Sequence, residues 1–325
     1  MPSSEVRTFT DPNEYSEFIR GSDADLTIAE RGNFEAKLVR ISLHHLWMQR
    51  FYEKLPRIMH WNHASDRTVI SFRTKPGPDL LSDGFEMHPS NIIRRRRAQE
   101  YFQRSEGFAC FGAISLPNEQ MASVGVMAGY DLTAPKNELT ITPSNLQMAQ
   151  LLDLHETAGH FAEYASDLIA NPEAARGLEQ ALIAAMVHCL GTAELVEDRS
   201  SVRQHAAIIR RFRRVVEENP DHALFIPELC KAIGASERTL RVCCQEQLGM
   251  SPKRYLFLRR MRLVRRGLRE SVPTDATVTD IATQYAFWNL GRFAGEYKAL
   301  FDELPSATLA RPPQQGSAFL DHMSA

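Results

Sequence analysis

Residues 280–301 read DIATQYAFWNLGRFAGEYKALF and change rhythm in the middle. Ile281, Ala282 and Tyr285 keep helical spacing, Trp288-Asn289-Leu290-Gly291 breaks it, and Phe293, Tyr297, Leu300 and Phe301 resume it at i, i+4, i+7 and i+8. At ~100° per residue the last three fall within about 80° of Phe293, so this second segment buries one narrow face. Its other face carries Gly291, Arg292, Gly295, Lys298 and Ala299, which is small and cationic. A helix this short is marginal alone. Two of them, crossing steeply through a short turn, brace each other as a helix-turn-helix. A hairpin in an ordinary core would show the same inward face. The small, cationic outer face is what suits a DNA major groove.

The pattern occurs twice. Residues 225–250, FIPELCKAIGASERTLRVCCQEQLGM, predict a helix from Pro227 to Ile233, stopped by Gly234. Ser236 caps the next helix, with Thr239 in its first turn. There Leu240, Cys244 and Leu248 point inward, Arg238, Val242 and Gln245 point out, and Arg241 lies on the flank. Gly249 ends it, and Ser251-Pro252 starts a third helix over 252–270. Seven arginines crowd that helix: Arg254, Arg259, Arg260, Arg262, Arg265, Arg266 and Arg269. About 18 helical residues span roughly 27 Å, and major-groove faces on one side of a duplex repeat at about 34 Å. Such a rod could hold two recognition helices in neighbouring grooves.

The N-terminal part has a different rhythm. FEAKLVRISLHHL (34–46) alternates with period two, Ala36, Leu38, Arg40 and Ser42 on one side and Val39, Ile41 and Leu43 on the other. TVISFRTK (68–75) and GFACFGAISL (107–116) read likewise as strands, and TKPGPD and PSNI supply turns. Several short strands with Pro/Gly turns imply a β-sandwich or barrel. Residues 143–165 and 171–192 predict helices, started at Pro143-Ser144 and Asn171-Pro172, with Leu146, Ala149, Leu152 and His155 near one face of the first.

Charge separates the same two parts. The chain's net charge is only −2, but residues 203–311 hold 19 Lys+Arg against 12 Asp+Glu, while residues 1–202 hold 19 against 27. A basic C-terminal third on an acidic body suits a polyanion binder whose other part does something else. The five cysteines form no C-x-x-C pair, so reduced thiols are expected, and vicinal Cys243-Cys244 is read as core packing in preference to a redox sensor. No long apolar window and no apolar stretch near Met1 occur, so no membrane span is expected and a cytoplasmic location is. His155 and His160 stand five apart, about 140° around a helix, which argues against a shared zinc ion. His60 and His63, and the pair His44-His45 read as part of a strand, leave a metal-dependent cupin-type enzyme as the alternative function. No cofactor motif is present.

IPELCKAIGASERTLRVCCQEQLGMSPKRYL and VTDIATQYAFWNLGRFAGEYKALFDELPSAT resemble the DNA-binding domain of the AraC/XylS family of transcription regulators, over about 100 of 325 residues. Phe287-Trp288-Asn289 with Gly291-Arg292-Phe293 is most similar to the subgroup of ethanolamine-utilisation regulators. Ala286 and Asp302 stand where the family usually has Gly, and Val242-Cys243-Cys244 where Arg-x-Phe is common. The resemblance implies an α+β chain. An N-terminal cupin-like β-barrel or sandwich (1–142) would sense a small, unidentified effector. A helical linker and dimerisation segment (143–202) would follow. An all-α domain (203–311) would then carry two helix-turn-helix units, about 227–248 and 278–301, on a linker helix, before a flexible tail (312–325). It implies a non-enzymatic regulator, by family habit an activator, acting as a homodimer on operator or promoter double-stranded DNA with RNA polymerase. The expected DNA contacts are Ser236, Arg238, Thr239, Arg241, Val242 and Gln245 in the first unit, and Asn289, Leu290, Gly291, Arg292, Gly295 and Lys298 in the second. Arg238 and Arg241 are assigned to base edges, and Lys298 with most linker arginines to phosphates. A non-selective, nucleoid-type DNA binder is the third reading.

Overall fold

The computed structural model describes residues 1–311 apart from 64–65, 96–99, 134, 136–137, 192–193, 196–199 and 220–223, so the expected tail at 312–325 lies outside the described residues. The strands are β1 (Ser3–Phe9), β2 (Ser22–Ile28), β3 (Ala36–Ser42), β4 (Trp47–Glu53), β5 (Arg57–His63), β6 (Arg67–Arg73), β7 (Leu80–Ser82), β8 (Phe85–Glu86), β9 (Ile92–Arg94), β10 (Glu100–Ser105), β11 (Ala109–Pro117), β12 (Leu139–Thr142) and β13 (Glu194–Leu195). The helices are α1 (Pro12–Phe18), α2 (Asn118–Met127), α3 (Asn145–Tyr164), α4 (Ser166–Ala170), α5 (Pro172–Gly191), α6 (Ser200–Glu217), α7 (Ile226–Ile233), α8 (Glu237–Leu248), α9 (Pro252–Glu270), α10 (Val278–Gln284), α11 (Leu290–Phe301) and α12 (Pro305–Leu309).

The strands form two antiparallel sheets, ordered β1-β3-β4-β11-β6-β9-β12-β13 and β2-β5-β10-β7-β8. They face each other as a sandwich and do not close into a barrel. Alternation along β3 decides which core each residue joins. Ala36 and Leu38 enter the intersheet core with Phe51, Trp61 and Phe111, while Val39 and Ile41 enter an outer core with α3 and α5. In the second sheet, Met59, Trp61 and Tyr101 face inward, whereas Ile58 and Phe102 face outward and pack on α6, α7 and α8. The order of layers is therefore helices, sheet, sheet, helices, with the C-terminal helices completing the sandwich's far side.

The strand expectations at 34–46, 68–75 and 107–116 correspond to β3, β6 and β11. His44 and His45, read as strand, sit in the bend between β3 and β4, where the His45 backbone N–H donates to the Glu179 carboxylate at 2.6 Å. The helix α3 begins at its Ser144 cap, but its buried stripe is Met148, Leu151, His155, Ala158 and Ala162. The face expected from Leu146 and Ala149 is wrong. Leu146 is 70% exposed, because steps of three residues drift by about 60° each and place it on the opposite side of the helix from the buried His155.

His155 is buried between α3 and the first sheet. Its Nε2–H donates to the Gln49 carbonyl, its Nδ1 accepts from the Arg50 guanidinium, both at 3.3 Å, and its ring meets Phe72 edge-on. Gly112 makes the room: a Cβ there would lie 2.6 Å from the imidazole. His160 is exposed on another face of α3, so the two histidines share no site. Burial, with Arg50 beside it, pushes the His155 pKa down to about 3.

An unfolded histidine titrates near pH ~6.5. A native pKa below that value means that the stabilisation is complete above pH ~6.5 and is lost as the pH falls. Between pH 7 and pH 5, His155 should cost the fold on the order of 2 kcal/mol. Asp83, whose pKa burial raises to about 6, pushes the other way. The readout is therefore the difference between wild type and His155→Gln in urea unfolding at the two pH values. The variant's pH dependence should be smaller by about that amount. Equal pH dependence contradicts the buried neutral imidazole.

Candidate nucleic-acid interface

In the first unit α7 begins at Ile226, one residue before the expected Pro227, and ends at Gly234, whose φ of 68° is the left-handed stop the sequence predicts. The Ser236 hydroxyl caps α8 by accepting from the Thr239 N–H at 3.0 Å, and Gly249 at φ 69° closes it. Leu229, Ile233, Leu240, Cys243, Cys244 and Leu248 share one core with Phe212 and Tyr255. Burial raises both vicinal thiols, Cys243 to about 11, so they stay protonated and act as packing. The outward set is Ser236, Arg238, Arg241, Val242 and Gln245, all exposed, with Thr239 half-buried. Arg241 reaches back to Glu237 at 3.2 Å across one helical turn. That contact is between exposed groups and is easily exchanged for another.

The second unit repeats the design. Thr277 and Asp280 form a capping box on α10, and Phe293, Tyr297 and Leu300 of α11 are buried. Asn289, Leu290, Gly291, Arg292, Gly295 and Lys298 are all exposed on α11 or at its start. The Asn289 Oδ1 caps the helix by accepting from the Arg292 N–H at 3.0 Å, while its amide nitrogen stays free to donate. The Arg292 Nε lies 2.9 Å from Glu296. The glycines do not serve internal packing. A Cβ at Gly295 meets nothing within 4 Å, and one at Gly291 meets only Asn289 Oδ1 at 3.9 Å.

The linker arginines contradict their expected role. Arg265 lies 2.6 Å from Asp11 and 3.3 Å from Glu303, and Arg269 lies 2.7 Å from Asp11 and 3.2 Å from Glu14. Arg262 meets Asp25 at 2.6 Å, and Arg259 is buried. One flank of α9 is thus committed to acids of the N-terminal part, and α6 adds Arg210 to Asp83 at 2.8 Å. Arg254 and Arg266 remain exposed, and Arg260 is half-buried over the Phe287 ring. Spacing shows which arginines share a face but not which acids the fold brings to that face.

Trp288 was read as part of the turn and was not among the expected contacts. It is 77% exposed in the turn just before Asn289, beside the outward face of α11. The signal was available, since an indole in a turn that the inward stripe does not use has nowhere to be buried. Ala286, where the family usually has Gly, adopts φ 61°, and Asp302, the other such departure, adopts φ 57°. Both departures from glycine fall on left-handed backbone.

Residues 229–311 match a family described as a helix-turn-helix domain. The chain is 31% identical over 174 residues to the probable thc operon regulatory protein of Rhodococcus erythropolis, covering 50% of this chain and 52% of that protein. It is 34% identical over 102 residues to XylDLEGF operon transcriptional activator 2 of Pseudomonas putida, covering 30% of this chain and 65% of that one. The chain thus spans about half to two thirds of the length of these two relatives. The crystal structure of the AraC-like transcriptional activator CuxR overlaps it loosely, at a TM-score of 0.41 and 14% identity, over 87% of this chain and 100% of that one. The chain is thus similar to operon regulators and carries a helix-turn-helix domain over residues 229–311.

A side chain with a Cβ held left-handed costs roughly 1–2 kcal/mol, partly offset by glycine's looser unfolded state. Ala286→Gly should therefore raise the unfolding free energy by about 0.5–1 kcal/mol in a urea titration. A destabilised variant contradicts the strained turn.

Proposed function

We propose that this AraC/XylS-type chain is a sequence-specific, double-stranded-DNA-binding transcription activator that answers to a small molecule held by its N-terminal part. On this reading residues 1–142 sense, 143–202 link and dimerise, and 203–311 read DNA. The protein works as a cytoplasmic homodimer alongside RNA polymerase. The names of the relatives, an operon regulatory protein and an operon transcriptional activator, support it. The observation that carries it is geometric. Two short helices, α8 and α11, flank one 19-residue helix, and each turns its polar, small or cationic side chains to solvent. The metal-enzyme alternative finds no support: the relatives are named as regulators, and His60 and His63 leave opposite faces of β5.

Arg238 and Arg241 take base edges, with the arginine fork suited to guanine. Val242 and Leu290, both exposed aliphatics on the outward faces, suit thymine methyl groups. Ser236 and Thr239 position the start of α8, and Asn289 and Arg292 that of α11. Lys298 holds a phosphate. With four linker arginines engaged by the chain itself, fewer phosphate contacts come from α9 than its composition suggests.

The test begins with sites selected from a random DNA pool by the full chain. Arg238→Ala should lose discrimination at one base pair, at about 1–3 kcal/mol, while Lys298→Ala should weaken all sequences alike and lower the salt slope by about one. Equal losses on selected and random DNA for both variants would overturn the assigned roles.

Gly295→Ala separates fold from recognition. Alanine is the better helix former by about 1 kcal/mol, and its Cβ meets nothing within the chain. The variant should unfold at higher urea and yet bind the selected site more weakly. Binding as tight as wild type would show that the face does not approach DNA closely.

A further inference from the structure

The chain has three tryptophans, and two of them are used inside the sandwich. Trp61 is buried between the sheets, and Trp47 lies under the guanidinium groups of Arg20 and Arg67. Trp288 is different. At 77% exposed it is the most open large apolar side chain of the described residues in 203–311. Its indole makes no hydrogen bond and no ring contact among the described residues. Single exposed apolar residues are ordinary on a surface, so exposure alone decides nothing.

What sets Trp288 apart is how firmly it is held. The Ala286 N–H donates to the Thr283 carbonyl and the Phe287 N–H to the Ala282 carbonyl, both at 3.0 Å. These are the paired bonds of a left-handed helix stop. The buried Phe287 ring lies 5.0 Å from Phe293 and 6.1 Å from Phe257. On the other side Asn289 caps α11. Residue 288 is therefore fixed by both neighbours while its side chain stands in solvent.

The surface around it has a definite character. Arg292 and Lys298 are exposed, and Gly291 and Gly295 leave α11 without side chains where a partner could come close. The one acid of α11, Glu296, is engaged by Arg292. A hot spot for a protein partner is ringed by further groups that exclude water. Here the residues that follow Trp288 are Asn289, Leu290, Gly291 and Arg292, all exposed, and only Leu290 is a large apolar one. A flat apolar ring with one neutral N–H donor, set on a cationic face, matches a phosphodiester strand, whose sugars are apolar and whose phosphates accept.

We infer that Trp288 grips one strand of the duplex beside the groove that α11 enters. Its N–H donates to a phosphate oxygen, and its ring lies on the adjoining deoxyribose. The inference rests on the DNA-binding reading and adds to it an uncharged residue that positions α11. Lys and Arg contacts displace counterions, so losing one flattens the salt dependence of binding. An indole displaces none, so its loss weakens binding equally at every salt concentration.

The test uses the full chain and its selected site. Trp288→Ala should bind at least about tenfold more weakly, with the wild-type slope of affinity against salt and an unchanged order of preference among single-base variants of the site. Trp288→Phe, which keeps a ring and loses the N–H, should fall between the two. Wild-type indole emission should change when DNA binds, and Trp288→Phe should abolish that change, since Trp47 and Trp61 lie in the sandwich. Wild-type affinity in Trp288→Ala overturns the inference, and so does a flattened salt slope. Full affinity with lost activation of a promoter carrying the site would assign the indole to a protein partner instead. If the wild-type chain selects no site, the DNA-binding reading fails and takes this inference with it. A chain that selects a site and does not need its indole refutes this inference alone.

Discussion

One helix has three sets of neighbours, and the C-terminal half depends on that. Tyr255, in the first turn of α9, belongs to the core of the first unit, while Leu258, Met261, Val264 and Leu268 belong to the core of the second. Arg262, Arg265 and Arg269 leave a third side and bind Asp25, Asp11 and Glu14. None of these sides can be altered without disturbing the others, because interiors are packed at crystal density and buried ion pairs lose heavily when one member goes. Asp11 is the tightest knot. It accepts from the backbone N–H groups of Asn13 and Glu14 as the cap of α1, and from two arginines 254 and 258 residues away. The separation of charge along the chain is thus partly an internal fit: acids of the sandwich meet arginines of the rod.

What could be read from sequence follows from where each signal resides. Caps and stops are local, so Gly234, Ser236, Gly249, Ser251 and Pro252 gave the C-terminal helices nearly to the residue. The strand β3 was read from its period-two alternation, and β6 and β11 likewise, between turn residues. β5, RIMHWNH, could not be read so, because it is covered by α6 to α8 on one face and by the other sheet on the other. Burial on both sides erases the alternation. The phase of α3 was misread because Leu146, Ala149, Leu152 and His155 advance only by threes and drift round the helix, whereas Met148, Leu151, His155, Ala158 and Ala162 alternate steps of three and four and hold one face.

The exposed faces of the two units were legible in outline, and their electrostatic surroundings were not. All twelve residues expected to meet DNA lie on the outward faces or edges of the two units, with only Thr239 half-buried. The fate of the arginine-rich helix depends on Asp11 and Asp25, more than two hundred residues away, and no periodicity encodes such a partner.

The central claim is that α9 sets two recognition helices at the spacing of neighbouring major grooves. Hydroxyl-radical footprinting of the full chain on a selected site measures that spacing. The account predicts two protected patches on one face of the duplex, centred about 34 Å apart. A single patch, or protection without helical phase, would contradict it.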